Sequence, residues 1–189
     1  MTELDELARD VRVSGRTLRR AAERGTLFVN RPTPKKAIVP VGERLYVRKH
    51  WPLLSRLIAE IRTSPNVRLA VVFGSVARGE QDADSDLDIA VRLRRDDHRK
   101  RTELAERLAS ASGRSVQLVS SEQLREAPML LADVLRDGRV LVDRDGEWAR
   151  VRGDASAIAQ RGREEEERVE REAWELPDAL AEIQRRTRR

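Results

Sequence analysis

Residues 72–91 read Val-Phe-Gly-Ser-Val-Ala-Arg-Gly-Glu-Gln-Asp-Ala-Asp-Ser-Asp-Leu-Asp-Ile-Ala-Val and join two apolar runs. The first run, Val67 to Phe73, is almost continuously apolar, which is typical of a strand buried on both faces. The second run, Leu87 to Leu93, alternates as strands do. The sequence therefore predicts two core strands joined by a polar loop over residues 74–85.

The second of these strands opens with two aspartates, Asp86 and Asp88. Residues two apart on a strand project to the same face, so the two carboxylates would repel each other unless a cation lies between them. Oxygen ligands of this kind favour Mg²⁺ or Mn²⁺. The pair is therefore a candidate metal site and a candidate catalytic pair. The alternative interpretation is a solvated loop that is rich in aspartate.

The polar loop begins with residues suited to holding phosphate. Gly74 lets a backbone approach closely, and its neighbouring amides and the Ser75 hydroxyl can face phosphate oxygens. Arg78 can add a charge-assisted contact. These three are candidate nucleotide-binding residues, and a metal site beside a phosphate holder indicates nucleotide chemistry. Arg78 has an alternative interpretation, in which it caps a turn or pairs with Glu80 or Asp84.

Together these residues resemble the signature of the minimal nucleotidyltransferases of the DNA polymerase β superfamily. Gly74-Ser75 is followed after ten residues by Asp86-x-Asp88, with an Arg-Gly pair in between and a hydrophobic strand in front. The resemblance implies transfer of a nucleoside monophosphate from an NTP, with ATP as the expected NTP, to an acceptor hydroxyl. It also implies that Gly74 and Ser75 hold the β and γ phosphates. The two aspartates would then ligate two metal ions.

One position departs from the family pattern. Members of the family commonly place a third carboxylate on the next core strand, where this sequence has Val116-Gln117-Leu118-Val119. Gln117 can offer a neutral carbonyl oxygen to a metal, but it cannot act as a base. The sequence therefore leaves open a nucleotidyltransferase fold that has lost its activity.

The excess of positive charge lies in the first quarter of the chain. Residues 1–51 carry 12 basic and 6 acidic side chains, residues 52–160 carry 18 of each, and residues 161–189 carry 8 and 9. This distribution directs any nucleic-acid hypothesis to residues 1–51.

The same first quarter resembles a winged helix-turn-helix. Leu4, Leu7 and Ala8 have helical spacing, Ser14 is a plausible N-cap for a second helix, and Gly25 would end that helix. Such a motif places its second helix in the major groove of DNA. The alternative is a solvated helix face in a module that binds another protein.

A β-hairpin would form the wing. Two short apolar runs, at 27–29 and 37–39, flank a basic, proline-stiffened connection at 31–36, and a third run follows at 45–47. The candidate DNA-binding residues on the second helix and the wing are Arg16, Thr17, Arg19, Arg20, Lys35 and Lys36.

The remaining strands and helices predict the α+β class with α/β character. Helices are predicted over 52–61, 104–111 and 124–135, and further strands over 116–119 and 140–142. We expect a winged helix-turn-helix module at 1–51, a mixed-sheet nucleotidyltransferase domain at 52–145 and a charged helical extension at 146–189.

The composition excludes several classes. The chain has no cysteine, which excludes disulfides, thiolate metal sites and a thiol nucleophile. It shows no secretory leader and no run of eighteen apolar residues. We therefore expect a soluble, cytoplasmic protein without membrane contact.

The expected function is metal-dependent nucleotidyl transfer coupled to DNA binding. By the family resemblance, one use of this combination is an antitoxin that adenylylates a HEPN-type toxin and represses its own operon. The main alternative is a transcriptional regulator whose impaired nucleotidyltransferase domain binds nucleotide or mediates assembly. A small-molecule nucleotidyltransferase of the aminoglycoside-modifying kind is disfavoured by the short chain. The sequence leaves the oligomeric state open.

Overall fold

A computed structural model describes residues 2–33, 36–80 and 85–187, with side chains described as far as residue 172. The described helices are α1 (Glu3–Asp10), α2 (Gly15–Arg24), α3 (Val41–Arg62), α4 (Gly74–Arg78), α5 (His98–Ser112), α6 (Ser121–Glu126), α7 (Pro128–Asp137), α8 (Glu147–Gly153) and α9 (Ala155–Thr187). The described strands are β1 (Asn30–Thr33), β2 (Lys36–Ile38), β3 (Val67–Phe73), β4 (Leu87–Leu93), β5 (Val116–Ser120) and β6 (Arg139–Asp143).

Four strands form one mixed sheet in the order β5-β4-β3-β6. The central strand β3 is antiparallel to both β4 and β6, whereas β4 and β5 are parallel. Both β3 and β4 have the bounds that the sequence predicts, and the mixed sheet with its many helices confirms the α+β class.

Helices cover both faces of this sheet. Ala70 and Val72 of β3 belong to one buried cluster with apolar side chains of α3 and α5. Val71 and Phe73, which alternate with them, belong to a second cluster with apolar side chains of α6, α7 and α8. A strand buried on both faces needs apolar residues at every position, which explains the continuous run in the sequence.

The two helices predicted at the amino terminus are confirmed. Ser14 is the N-cap of α2, where its hydroxyl accepts a hydrogen bond of 3.1 Å from the Thr17 amide. Gly25 ends α2 in the left-handed region, with a φ of 91°. The apolar side chains of α1 and α2 join the same buried cluster as those of α3, so the core is continuous across residues 51 and 52.

The hairpin lies three residues later than predicted at its first strand. The apolar run at 27–29 is not paired in a sheet, because Leu27 is buried in the core and the Phe28 amide donates to Glu43 Oε1 at 3.1 Å. The strand β1 instead begins at Asn30, so Arg31, predicted to lie in the connection, is part of a strand. The candidate Lys35 lies outside the described residues.

The strand-like interpretation of the run at 45–47 is wrong. Helix α3 begins at Val41, eleven residues before the predicted start at Pro52, which lies inside the helix. Glu43, Tyr46 and His50 recur at i, i+3 and i+7 and are buried together, while the apolar neighbour Leu45 is 59% exposed. The predicted division between residues 51 and 52 therefore falls within a helix.

Two other segments differ from prediction in detail. The predicted loop at 74–85 begins with the short helix α4. The helix predicted over 124–135 is two helices, α6 and α7, which meet at Ala127 because the residue before Pro128 is disfavoured in helical conformation. Within the described part of the chain, no helix has the length and apolarity that crossing a membrane requires.

The segment that follows α2 contacts β6, which is one of the two edge strands of the sheet. The Val140 amide of β6 donates to the Gly25 carbonyl at 3.1 Å, and the Thr26 hydroxyl donates to the Val140 carbonyl at 2.5 Å. The turn after α2 thus covers part of the edge of β6 that faces away from β3.

Candidate functional site

The glycine at the end of β3 lies directly against a carboxylate of β4. Phe73 is paired with Asp88 across the two strands, and Gly74 follows with a φ of 71°. A Cβ atom at Gly74 would lie 2.6 Å from Asp88 Oδ2. Only glycine therefore combines this backbone conformation with this carboxylate position.

The two aspartates lie side by side without a cationic partner. Asp86 is exposed just before β4, and Asp88 is half-buried within it. Burial raises the pKa of Asp88, and the negative charge of Asp86 raises it further. Neither carboxylate forms an ion pair within the described residues, so a bound cation would relieve their repulsion.

The position of the missing third carboxylate is occupied by Gln117. This residue is paired with Asp88 in the parallel register of β4 and β5, and its side chain is exposed. The described residues contain no group of three or more histidine, aspartate or glutamate side chains that could hold a metal ion. The residue paired with Asp88 on the neighbouring strand is therefore a neutral amide and not a third carboxylate.

Two buried side chains, those of Tyr46 and Arg139, donate hydrogen bonds to the backbone of the short helix α4. Ser75 lies in its first turn, half-buried. The next two carbonyls accept hydrogen bonds: Tyr46 Oη donates to Val76 at 3.1 Å, and Arg139 Nε donates to Ala77 at 2.7 Å. Burial raises the pKa of Tyr46 to about 12, so its hydroxyl remains a donor at neutral pH.

Sequence analysis missed Arg139 and its partners. Its guanidinium is 4% exposed, and it donates to both carboxylate oxygens of Glu43 at 2.6 and 3.0 Å. It also lies over the rings of Phe28 and Tyr46, at 4.3 and 3.5 Å from their centroids. The available signal in the sequence was an arginine directly before the apolar run at 140–142.

His50 lies beside the same group of residues. Its ring centroid is 4.5 Å from that of Tyr46, and a Cβ atom at Gly79 would lie 3.6 Å from its Nε2. Burial lowers the pKa of His50 to about 4, and the positive charges of Lys49, Arg139 and Arg114 act in the same direction. The imidazole is therefore neutral at physiological pH.

Arg78 does not point freely towards the phosphate-holding residues. Its Nε donates to Glu80 Oε2 at 2.7 Å, and its guanidinium lies 3.6 Å from Asp137 Oδ2. The alternative predicted for Arg78, a pair with Glu80, is therefore the arrangement found. A phosphate would have to replace these partners to reach the guanidinium.

The candidate DNA contacts on α2 and the hairpin are exposed where the structure describes them, namely at Arg16, Thr17, Arg19, Arg20 and Lys36. Two of them already have local partners. Arg19 forms an ion pair of 2.5 Å with Asp5, and the Thr17 hydroxyl lies 2.8 Å from that of Ser14. The exposed basic candidates without such an ion pair in the described residues are Arg16, Arg20 and Lys36.

The fold and the close approach of Gly74 to Asp88 agree with the protein family that the central segment matches. Residues 55–147 match the family model "Polymerase beta, Nucleotidyltransferase". This segment is a nucleotidyltransferase domain of the polymerase β family, as the signature around Gly74 and Asp88 predicts.

Several solved structures that contain a toxin and an antitoxin have a chain similar to this one. A chain from the crystal structure of a toxin–antitoxin with AMP-PNP is 29% identical, with 67% of this chain and 97% of that chain covered and a TM-score of 0.44. A chain from the complex of a tri-AMPylated Shewanella oneidensis HEPN toxin with MNT antitoxin is 27% identical, with coverages of 68% and 95% and a TM-score of 0.41. No curated protein matches the chain.

Proposed function

We propose that this protein transfers a nucleoside monophosphate from an NTP, most simply ATP, to an acceptor hydroxyl. The observation that carries the proposal is the pair of Asp86 and Asp88. Neither carboxylate has an ion-pair partner among the described residues, and Asp88 lies against Gly74 at the start of α4. The acceptor oxygen would form a bond to the α-phosphorus while the bond to the bridging oxygen breaks. Pyrophosphate leaves, and the acceptor proton passes to water because Gln117 cannot take it.

The carboxylate pair fits a divalent cation. Its oxygen donors favour Mg²⁺ or Mn²⁺. The pKa of Asp88 is raised first by burial and then by the negative charge of Asp86, and a cation would offset that second effect. When bound, such ions supply charge neutralisation at the leaving phosphate and activation of the acceptor oxygen. Asp86 and Asp88 would hold them, with Gln117 as a weaker neutral ligand on the adjacent strand.

The chain's own residues would position the nucleotide. Gly74 and Ser75 face the β and γ phosphates in this proposal, and the hydrogen bonds from Tyr46 and Arg139 hold α4 in place beneath them. Positioning of this kind accounts for much of phosphoryl-transfer catalysis. Arg78 joins the nucleotide only if it exchanges its pair with Glu80.

The acceptor that we propose is a hydroxyl on a partner protein of the HEPN toxin type, as the family resemblance implies. The test is label transfer from α-labelled ATP, with Mg²⁺ or Mn²⁺, to the protein encoded by the neighbouring gene. Asp86→Asn should abolish transfer, whereas Asp133→Asn, an equal change at an exposed aspartate of α7, should leave it intact. Absence of transfer by the unaltered protein would favour the regulator with an impaired domain.

Gln117 allows a second test of the same proposal. Gln117→Asp would place a third carboxylate beside Asp88 in the strand register. We expect tighter metal binding and faster transfer, measured by metal titration and initial rates. Unchanged metal affinity and turnover would show that Gln117 does not limit the reaction.

We further propose that α2 binds DNA, because Arg16, Thr17 and Arg20 are exposed on one helix within the basic first quarter of the chain. The Arg16→Gln, Arg20→Gln variant should reduce the salt slope of duplex binding by about 0.9 for each phosphate that is no longer neutralised. The control variant Arg94→Gln, Arg95→Gln makes an equal charge change at another exposed site. Equal slopes in the two variants would contradict a specific surface. A protein that uses both NTP and DNA would act in the cytoplasm.

A further inference from the structure

A groove of about 330 Å³ lies between helices α2 and α3. Four of its lining residues are arginines, namely Arg16, Arg20, Arg24 and Arg62. Three others carry hydroxyls, namely Ser14, Thr17 and Ser55. No aspartate or glutamate is among the residues that line this groove. The groove is therefore a concave surface of a single charge sign. Its hydroxyls are already hydrogen-bonded, those of Ser14 and Thr17 to each other and that of Ser55 to the Pro52 carbonyl.

None of these four arginines forms an ion pair with a carboxylate of the described residues. Arg24 is half-buried, and its one side-chain hydrogen bond runs from Nε to the neutral Thr26 hydroxyl at 3.2 Å. Burial lowers the pKa of Arg24, and the like charge of Arg62 lowers it further. The fold thus holds two guanidinium groups near each other at an electrostatic cost.

The helix dipole explains only part of this arrangement. Arg24 and Arg62 are the last residues of α2 and α3, where a cation is favoured by the partial negative charge of a helix carboxyl end. That effect accounts for each arginine separately. It does not account for Arg16 and Arg20, which lie in the first turns of α2 and line the same groove.

Trp51 supplies an additional unsatisfied donor in the groove wall. The residue is 4% exposed, and its buried Nε1 atom has no hydrogen-bond acceptor among the described residues. Buried donors in folded proteins are nearly always paired, so this unpaired donor is a second unusual feature of the groove wall. A phosphate group, with several acceptor oxygens and a charge of up to two, can accept hydrogen bonds from several guanidinium groups at once.

We propose that the groove between α2 and α3 binds a phosphate group, contributed either by the DNA backbone or by a free phosphorylated small molecule. The site adds Arg24 of α2 and Arg62 of α3 to the candidate DNA contacts Arg16 and Arg20. The groove proposal depends on the proposed DNA binding only if the phosphate group comes from the DNA backbone. Because Ser55 and Arg62 belong to the segment that matches the nucleotidyltransferase family, the site joins the two parts of the chain.

The test compares two variants of one helix. Arg62→Gln removes a groove arginine, and Arg56→Gln makes the same charge change on the exposed face of α3, outside the groove. Binding of a duplex of random sequence is measured against salt concentration. Arg62→Gln should reduce the salt slope by about 0.9 and weaken binding by about tenfold, while Arg56→Gln should change neither. Equal thermal unfolding curves confirm that both variants fold.

A second probe separates the sources of the phosphate. Inorganic pyrophosphate is titrated in EDTA, so that a metal-dependent site at Asp86 and Asp88 does not contribute. Pyrophosphate binding that is abolished in Arg62→Gln and kept in Arg56→Gln supports the groove even if the protein binds no duplex and the DNA proposal fails. If both variants behave alike with both probes, or the unaltered protein binds neither, the groove proposal is wrong.

Discussion

Arg139 and the arginines of the α2–α3 groove show two opposite uses of one side chain. Arg139 is 4% exposed and has a bidentate carboxylate partner, a carbonyl acceptor and two aromatic rings around it. Arg24 and Arg62 lie near each other in a groove that no carboxylate lines. In the first arrangement, partners within the fold accept the hydrogen bonds of the guanidinium group. In the second, guanidinium donors are left for a ligand.

The difference shows why the number of arginines says little about function. The chain has 38 basic side chains, but their partners in the structure separate structural cations from binding ones. A buried arginine has already lost its water and depends on its carboxylate, whereas a groove arginine keeps solvent until an anion arrives. Removing a partner of Arg139 should therefore lower the stability of the fold, whereas removing a groove arginine should lower the affinity for a ligand.

The largest expected effect comes from removing the partner of Arg139. Glu43→Ala leaves a buried guanidinium without its carboxylate, and we expect a loss of about 3 to 5 kcal/mol in the free energy of unfolding. Urea unfolding measures this loss. The double variant Glu43→Leu, Arg139→Met removes both charges and should recover part of it. A loss under about 1 kcal/mol in Glu43→Ala would place the pair among weak surface bridges.

The neutral state of His50 gives the next effect, as a dependence on pH. Its pKa is about 4 in the folded protein against an ordinary value of 6.5, so the unfolded chain binds the proton first as pH falls. Stability should therefore decrease as pH falls from 6.5 towards 4. Replacing His50 by Gln should flatten this part of the stability profile, and replacing the exposed His98 by Gln should not. Parallel profiles for both variants would contradict the assignment.

A smaller effect is expected where Tyr46 meets the candidate nucleotide site. Tyr46→Phe removes only the hydroxyl that donates to Val76, a loss of about 1 kcal/mol. We expect the Kd for a nonhydrolysable ATP analogue to rise several-fold, because α4 loses one of its two supports. Unchanged nucleotide affinity beside a measurable loss of stability would limit Tyr46 to a purely structural role.

The smallest effect should come from an exposed pair. Arg99 and Glu103 form an i, i+4 bridge of 2.8 Å on α5, with side chains 88% and 54% exposed. Glu103→Ala should change the free energy of unfolding by less than about 0.5 kcal/mol, because exposed bridges are screened by solvent. It is also the matched control for Glu43→Ala. A loss comparable to that of Glu43→Ala would remove the distinction between buried and exposed pairs.

The central strands and the carboxylate pair could be predicted from sequence because local patterns define them. Val67–Phe73 is apolar at nearly every position, and Gly74 and Asp88 belong to one short signature in the sequence. The start of α3 could not be predicted in this way. Leu45 suggests an apolar strand but is exposed, while Glu43 is buried because an arginine 96 residues later balances its charge.

The partners of the candidate site are long-range for the same reason. Tyr46 reaches Val76, and Arg139 reaches Ala77, through hydrogen bonds that bridge 30 and 62 residues of sequence. The pairing of Arg78 with Glu80 was one of two interpretations of the sequence, and only the fold distinguishes them. Local patterns thus indicate the chemistry, and the support beneath it depends on tertiary contacts.

The hydrogen bonds between the turn after α2 and β6 also bear on aggregation. Strand β6 is at the end of the sheet, where exposed amides and carbonyls invite pairing with another chain. Gly25 and Thr26 engage both backbone groups of Val140 there, so the amino-terminal segment protects that edge. A chain trimmed to residues 55–147 would lack this protection together with the carboxylate of Glu43. Its nucleotidyltransferase signature would be intact, but its sheet would have an edge open to self-association.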